Sequence, residues 1–473
     1  MSTSDPDQTQ HRTAILAACC LSMLIVSVDV TIVNLAIPSI RVALSASETQ
    51  LQWVIDIYTV SLASLLLSAG ALGDRIGHRR VFVIGLGGFA LASLLCSLSP
   101  TIEVLIAARL LQAMTGAMLN PSALSILSQA FVERSQRARA LGYWGAVVGI
   151  AMAIGPPLGG LLIEMVSWRA VFLINLPICL TALVLTLSVV PESRSPRSGP
   201  YDLPGQFLAM LTLFALVFSL IEGPHRGWGD SSVLTSAVVS LAALQLFLRQ
   251  EARSPHPFLE LDTFQSLPFT AATLITMGVF AAWGAFLLMM SLYLQSFRHI
   301  SALHTGLIFL PIALGALVFS PLSGRLVARY GSRPSLVCSG LLLSTASVLL
   351  LRLGLQTSTP MLLLIVALFG IGFAMSSAPV LSTSLSGMPA ERTGSAAAVN
   401  STSKQIGVSL GVAMCGVVAG DALRVNSALF LSSARLLWVV TAAIGLSVVA
   451  LGLLSTSPWA ERSEERLNAA TGP

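Results

Sequence analysis

Long apolar runs recur along almost the whole chain and constrain its fold more than any other feature. Each run has roughly 20 residues, the length that a helix needs to cross the hydrocarbon core of a bilayer. Helices are expected because backbone polar groups in lipid must be satisfied within the segment, and because the runs lack the alternation of barrel strands. The fourteen predicted spans are residues 14–38, 50–70, 81–99, 102–129, 138–163, 169–190, 204–222, 232–249, 267–292, 303–325, 335–353, 360–384, 395–419 and 435–456.

The composition agrees with an all-α membrane protein. Of the 473 residues, 55% are hydrophobic and only 10% are charged, whereas soluble domains carry about 25% charged residues. A soluble protein of this size could not cover its surface with so few polar side chains, which excludes a cytosolic enzyme and a disordered chain. The net charge is +5, but the arginines lie between apolar runs and form no block of five like charges, so no nucleic-acid partner is expected.

The arginines between the spans predict the orientation of the chain. There are 25 arginines and a single lysine, Lys404. An even number of spans leaves both termini on one side, and the loops and tails of that side hold 17 arginines against seven on the other. The positive-inside rule then predicts a multi-pass protein of the cytoplasmic membrane with cytoplasmic tails at residues 1–13 and 457–473.

A basic turn occurs in both halves of the chain. Residues 70–79 and 324–333 share Gly, Leu, Arg, Gly and Arg in register, and each stretch ends an even-numbered span. Two parallel bundles related by an axis along the membrane normal give such a pattern. The predicted domains are a six-helix bundle at 14–190, a linker with two further spans at 191–266 and a second six-helix bundle at 267–456.

The turn at 70–79 resembles the loop signature between helices 2 and 3 of the major facilitator superfamily. Residues 29–38, 53–59, 109–117 and 142–160 resemble helix motifs of its fourteen-helix drug:proton antiporters. The resemblance implies the major facilitator fold with fourteen transmembrane helices, in which two helices are inserted between the six-helix bundles. It also implies a conformational latch at Gly70, Gly73, Asp74, Arg75, Gly77 and Arg79. The antiporter motif of the fifth span corresponds to Gly142, Gly155, Pro156, Gly159 and Gly160.

Three ionisable residues lie deep within predicted spans of the first bundle. A rise of 1.5 Å per residue puts Asp29 about 22 Å from the cytoplasmic start of its span, and Asp56 and Arg109 about 9 and 10 Å below the outer ends of theirs. Charged side chains are costly at such depths and tend to face a cavity or a partner. We predict that Asp29 is the main protonation site, that Arg109 modulates it, and that Asp56 is a second protonation site or a cation contact. The alternative is a fixed ion-pair cluster that only holds the helices together.

Small residues in the fifth span predict a close contact between helices. Gly155, Gly159 and Gly160 allow a neighbouring helix to approach, and Pro156 and Pro157 are expected to bend or break the span. We expect this contact to seal the outer side between the bundles when the site opens inward. Ordinary helix packing is the alternative interpretation.

The predicted function is proton-coupled efflux, by alternating access, of amphipathic or cationic drugs or toxic compounds. Substrate is expected between the two bundles near the midplane of the membrane. The candidate substrate contacts are Asn34, Trp53, Tyr58, Gln112, Trp283, Met289 and Lys404. The alternative roles of these residues are core packing, lipid contact or, for Lys404, snorkelling to the interface.

Two other functions stay open at this point. One is a dedicated exporter of a single metabolite or antibiotic made by the cell, and the other is a membrane sensor or scaffold that transports nothing. The sequence contains no Walker loop, nucleophile elbow or HExxH motif, so an enzyme is not expected. We expect no metal and no cofactor, the proton gradient as the energy source, and a monomer in the lipid bilayer.

Overall fold

The computed structural model describes residues 6–131, 133–192, 202–254, 261–384, 386, 393–419, 427–457 and 459–460. The regular elements of these residues are helical. A 3-10 turn lies at Leu261–Gln265 and a π-helical segment at Tyr293–Phe297. The α-helices are α1 (Pro6–Leu44), α2 (Glu48–Ile76), α3 (His78–Leu98), α4 (Ile102–Gly116), α5 (Leu119–Ala130), α6 (Arg134–Met165), α7 (Ala170–Leu173), α8 (Asn175–Val189), α9 (Leu203–Arg226), α10 (Ser231–Arg253), α11 (Leu267–Leu292), α12 (Ala302–Tyr330), α13 (Ser332–Leu350), α14 (Thr359–Ser384), α15 (Thr393–Ala419) and α16 (Ser427–Leu454).

Eleven helical segments of the described residues are long and apolar enough to cross a membrane. In that count α4 with α5, and α7 with α8, each form one segment. The helices α2, α6 and α15 have 29, 32 and 27 residues, but they are not among the eleven. The chain is therefore an all-helical, multi-pass membrane protein, and the predicted number of fourteen spans is not confirmed by this measure.

Two predicted spans contain a local irregularity of the helix. The span predicted at 102–129 is one apolar segment, Ile102–Ala130, in which the helix tightens between α4 and α5, where the amide of Met118 bonds to the carbonyl of Thr115. The span predicted at 169–190 is one apolar segment, Ala170–Val189, interrupted at Ile174 between α7 and α8, shortly before Pro177, whose ring removes a helical hydrogen-bond donor. Conversely, α6 continues through both of its internal prolines without a break.

The helices form two bundles with an inserted pair between them. In the first bundle α1 packs on α6 and α8, and α3 packs on α4 and α8. In the second bundle α11 packs on α15, α12 on α14, and α13 on α14 and α16. The inserted helices α9 and α10 pack on each other, and α9 contacts both α2 and α15. The inserted pair thus covers the junction where α2 of one bundle meets α15 of the other.

The two copies of the basic turn have related backbones. Gly77 separates α2 from α3 with φ = 109°, and Gly331 separates α12 from α13 with φ = 76°. A positive φ at both positions explains why glycine occurs in both copies of the repeat. We call the end of the molecule with these turns the proximal end, and the end with the α1–α2 connection at residues 45–47 the distal end.

The bundles approach each other closely in their distal halves. Gly160, near the distal end of α6, lies so close to α12 that a Cβ atom there would be 2.5 Å from the carbonyl oxygen of Ala302 and 2.6 Å from the Cα of Leu303. Gly306 of α12 is packed equally closely against the backbone of Pro156. Gln295, after α11, donates its side-chain amide to the carbonyl of Leu35 in α1 at 3.1 Å.

Candidate functional site

A buried ion pair joins α1 to α4 inside the first bundle. The side chains of Asp29 and Arg109 are 0% and 2% exposed, and Arg109 Nη1 donates to Asp29 Oδ2. The same nitrogen donates to Gln112 Oε1 at 2.7 Å, and Gln112 Nε2 donates to Asp29 Oδ1 at 3.0 Å. Asn175 Nδ2 of α8 donates to that oxygen at 3.3 Å. Both carboxylate oxygens therefore have donors, and the guanidinium offsets the charge of the carboxylate.

Arg109 also fixes one face of α2. Its Nε donates to the carbonyl of Val54 at 3.1 Å, and its guanidinium carbon lies 4.0 Å from the ring centroid of Tyr58. Val54 and Tyr58 are four residues apart, so they lie on the same face of α2. A guanidinium over an aromatic ring is attracted by the negative face of the ring. The network around Arg109 therefore holds α1, α2, α4 and α8 together.

Asp56 lies on the opposite face of α2. It is two residues from both Val54 and Tyr58, which corresponds to a rotation of about 200° around the helix. Its Oδ1 accepts a hydrogen bond of 2.6 Å from the hydroxyl of Ser409, which belongs to α15 of the second bundle. Asp56 is fully buried, and its Oδ2 has no hydrogen-bond donor among the described residues.

The three ionisable residues of the first bundle therefore form two arrangements and not one cluster. Asp29 and Arg109 are in contact within the first bundle, whereas Asp56 bonds across the interface between bundles. Similar depth in the membrane does not specify which face of a helix a residue occupies. Ser409, Asn175 and Ser93, which accepts from Gln112 at 2.9 Å, were not predicted as site residues. The sequence signal of Ser93 and Ser409 is a polar side chain within an apolar run, and Asn175 also resembles the start of the family's sixth helix.

The glycines of α6 contact two different helices. Gly155 and Gly159 face α1, where a Cβ at Gly159 would lie 3.2 Å from the side chain of Ile32. Gly160 faces α12 of the second bundle. The predicted antiporter motif thus contributes both to packing within the first bundle and to the contact between bundles.

The predicted latch contacts the end of α8 in its own bundle. Arg79 Nη2 donates to the carbonyl of Leu187 at 2.7 Å, and Gly73 is packed against the ring of His78. Arg75 is exposed. The side chain of Asp74 and the surroundings of Gly70 and Gly142 lie outside the part of the chain that the structure describes.

Two of the predicted substrate contacts share an aromatic cluster in the second bundle. Trp283 of α11 stacks on Phe373 of α14, with ring centroids 4.4 Å apart and an interplanar angle of 25°. Phe280 meets the same ring edge-on at 5.1 Å. The Nζ of Lys404 lies 5.7 Å from the centroid of Phe280. This cluster therefore combines three aromatic rings with the half-buried side chain of Lys404.

The other predicted substrate contacts lie elsewhere. Tyr58 and Gln112 belong to the Arg109 network, and Asn34 donates to the carbonyl of Val30 within α1 at 2.8 Å. Trp53 faces the inserted helix α9, with its ring 6.3 Å from that of Phe218. Met289 lines a small distal pocket together with Glu48, Gln52 and Cys415. Within the described ranges, no group of three or more His, Cys, Asp or Glu side chains is placed to hold a metal ion.

Two helical bundles that meet in their distal halves, with buried charges inside one bundle and at the interface, define a membrane transporter of the two-bundle type. Residues 19–412 match the Major Facilitator Superfamily, and the chain belongs to this family. The family predicted from the sequence motifs is thereby confirmed. Its members and the relatives described next are transporters of small molecules.

Several curated relatives are similar over most of the chain. The multidrug resistance protein Stp of Mycobacterium tuberculosis is 35% identical over 412 residues, which cover 87% of this chain and 76% of Stp. The tetracenomycin C resistance and export protein of Streptomyces glaucescens is 35% identical, covering 85% of this chain and 75% of that protein. The puromycin resistance protein of Streptomyces alboniger is 36% identical and covers 88% and 83%.

Solved structures support the same fold at low sequence identity. A transporter of the POT family in complex with 5-aminolevulinic acid has a TM-score of 0.70 at 12% identity, covering 95% of this chain and 97% of the other. A bacterial homologue of the human lysosomal transporter Spinster, in an inward-facing and unoccupied conformation, has a TM-score of 0.65 at 17% identity, covering 98% and 99%. At these identities the likeness concerns the fold alone.

Proposed function

We propose that the protein exports amphipathic small molecules, among them drugs and toxic compounds, across the cytoplasmic membrane in exchange for protons. The family and the names of the relatives, which are resistance and efflux proteins, support export. Fourteen spans follow if α2, α6 and α15 cross the membrane like the eleven apolar segments. The arginine distribution supports cytoplasmic termini, so that the proximal end faces the cytoplasm.

The described conformation corresponds to a site closed toward the outside. The close backbone contacts of Gly160 and Gly306 lie between α6 and α12 in the distal half. The bond between Asp56 and Ser409 closes the second junction, between α2 and α15. In an alternating-access cycle these contacts must separate when the site opens outward.

The proposal of proton coupling rests on the position of Asp56. When α2 and α15 separate, its carboxyl loses Ser409 and gains water, and when they close again it becomes fully buried. Burying an ionised carboxylate with an unpaired oxygen is costly, so closure is favoured when Asp56 carries a proton. Each closure then moves one proton inward, and the proton must leave toward the cytoplasm before the distal side reopens.

Asp29, predicted from the sequence as the main protonation site, has the supporting role in this scheme together with Arg109, because Asp29 is already ion-paired within one bundle. Their mutual charge compensation lets two ionised groups lie at membrane depth within one bundle. Arg109 also touches the α2 face that carries Val54 and Tyr58. A shift of α2 during opening therefore changes the surroundings of Arg109, and Asp29 becomes a second site at which a proton exchanges. We propose that no cofactor is needed and that the transporter acts as a monomer.

Transport by the purified protein in liposomes tests the proposed function. With an imposed pH gradient, the wild type is expected to move ethidium against the concentration gradient of ethidium. Collapse of the pH gradient by a protonophore is expected to stop this transport. Ethidium movement that is unaffected by the gradient contradicts proton coupling, and absence of movement contradicts efflux of this drug class.

A dedicated exporter of one compound is the second candidate function. Several relatives are named for a single antibiotic, among them tetracenomycin C, methylenomycin A and puromycin. A panel of unrelated amphipathic compounds in the same liposomes separates the two candidates. Movement of several compounds indicates a broad exporter, and movement of only one indicates a dedicated exporter.

A further inference from the structure

Lys404 is a cation at membrane depth whose contact among the described residues is the ring of Phe280 and not a carboxylate. It is the only lysine of the chain and lies on α15, eleven residues after the start of the helix at Thr393, or about 16 Å along the axis. In the described ranges, no carboxylate lies within ion-pair distance of its ammonium and no acceptor takes a hydrogen bond from it. An unpaired charge at such depth is costly and marks a functional site by default.

Snorkelling does not explain this position. A lysine near a helix end places its ammonium in the interface by extending its stem along the helix. The remaining distance from Lys404 to the proximal end of α15 is much longer than the four-carbon stem. The side chain instead lies beside the ring of Phe280.

The surroundings of Lys404 are aromatic. Phe280 meets Phe373 edge-on with a centroid distance of 5.1 Å, and Trp283 stacks on the same ring at 4.4 Å. Trp283 and Phe373 are buried beneath Phe280. We call these three rings together with Lys404 the cationic aromatic patch. Phe280 and Lys404 are half-buried, so the patch is accessible on the side where these two residues lie.

The acidic residues at a similar depth are not available to a ligand. Asp29 is enclosed by Arg109, Gln112 and Asn175. Asp56 is completely buried against Ser409. Of these three side chains, Lys404 is the one that is partly exposed and therefore able to contact a ligand.

We propose that the transporter also exports compounds that carry an anionic group on an aromatic body, with the anion paired to Lys404 and the aromatic body against the half-buried ring of Phe280. The proposal rests on the proposed export function. It adds a second substrate class to the cationic compounds that the sequence resemblance implied. A charge-assisted hydrogen bond to the ammonium gives the anion its affinity, and stacking on the ring selects a planar body.

A matched pair of probes tests the sign of the preferred charge. Naphthalene-2-sulfonate and (naphthalen-2-yl)methyltrimethylammonium share one ring system and carry permanent, opposite charges, so neither crosses lipid as a neutral species. Binding of each probe to the purified protein is measured for the wild type, Lys404→Met and Lys404→Arg. Lys404→Met is expected to lower the ratio of sulfonate to ammonium affinity by about tenfold to a hundredfold. Lys404→Arg is expected to keep the ratio within about threefold of the wild-type value, because the charge remains.

A second measurement avoids substitution altogether. Because Lys404 is the only lysine, its reductive methylation by formaldehyde and cyanoborohydride is read directly by mass spectrometry. The sulfonate is expected to protect Lys404 from methylation, and the trimethylammonium probe is not. Equal protection by both probes, protection by neither, or an unchanged affinity ratio in Lys404→Met overturns the proposal.

The failure of this proposal is distinguishable from failure of the export function. A wild type that moves ethidium in liposomes but shows no protection of Lys404 by the sulfonate retains the export function and loses the anionic substrate class. A wild type that moves no compound but shows selective protection by the sulfonate retains the anion site and loses export.

Discussion

The hydrogen bond between Asp56 and Ser409 connects protonation to the contact between the bundles, and Ser409→Ala removes its donor. The bond is 2.6 Å long, and both side chains are buried at the junction of α2 and α15. Without the hydroxyl, neither oxygen of Asp56 keeps a side-chain donor from the described part of the second bundle. Alanine is smaller than serine by one oxygen atom, so the variant changes the hydrogen bonding far more than the packing.

The size of the effect follows from the burial of the carboxyl. A buried polar group that loses its partner costs about 1–3 kcal/mol. In the distal-open state water replaces Ser409, so the cost falls on the closed state alone. The ratio of distal-closed to distal-open molecules is therefore expected to fall by about 5- to 150-fold.

Distances between spin labels at the distal end measure this ratio. Val42, at the end of α1, and Leu355, between α13 and α14, are 82% and 41% exposed and belong to different bundles. The labels are best attached to unnatural amino acids, because the chain has six native cysteines. Ser409→Ala is expected to move population from the short-distance to the long-distance peak.

Ser403→Ala is the matched control. Ser403 is another buried serine of α15, but its hydroxyl donates to the carbonyl of Val399 in its own helix at 2.8 Å. Its removal is expected to leave the distance distribution unchanged. A Ser409→Ala distribution identical to that of Ser403→Ala refutes the reasoning, because the hydroxyl of Ser409 then contributes nothing to closure.

Two further predictions concern the distal contact and the ion pair. Gly160→Leu adds a side chain whose Cβ would lie 2.5 Å from the carbonyl oxygen of Ala302, so we expect ethidium transport to be lost while the protein still inserts into the membrane. The control is Gly87→Leu, where nothing lies within 4 Å of a Cβ, and equal transport by both variants excludes the sealing role. Arg109→Gln leaves Asp29 buried without its counter-charge at a cost of about 3–5 kcal/mol, so we expect thermal stability in detergent to fall. Adding Asp29→Asn is expected to restore much of that stability, and an Arg109→Gln protein as stable as the wild type contradicts the role of the pair.

The apolar runs were sufficient to predict the helices, because burial in lipid requires long uninterrupted hydrophobic segments. The span predicted at 267–292 coincides with α11, and the ends of most other predicted spans lie within a few residues of the ends of the helices. The span predicted at 102–129 matches the segment Ile102–Ala130, but the irregularity between α4 and α5 within it was not predicted, because hydropathy does not detect a local tightening of the helix.

The site was harder to predict than the fold, because it depends on helix rotation and docking. Depth along the helix placed Asp56 beside Arg109, but Arg109 contacts the face of α2 that carries Val54 and Tyr58, and the bond of Asp56 to Ser409 shows that Asp56 faces the other bundle. Trp53 faces α9 because the inserted helices cover the junction of the bundles, and no sequence motif indicated that position.

The central claim is that Asp56 exchanges a proton as the bundles open and close. The number of protons moved per ethidium transported tests this claim most directly. Ethidium is added to proteoliposomes that contain a pH-sensitive dye and have no preset gradient, and the proton flux is counted against the ethidium moved. The wild type is expected to show proton flux coupled to ethidium movement, and Asp56→Asn is expected to bind ethidium but to move fewer protons per ethidium, because only the exchange site at Asp29 remains. An Asp56→Asn protein that moves as many protons per ethidium as the wild type contradicts the claim.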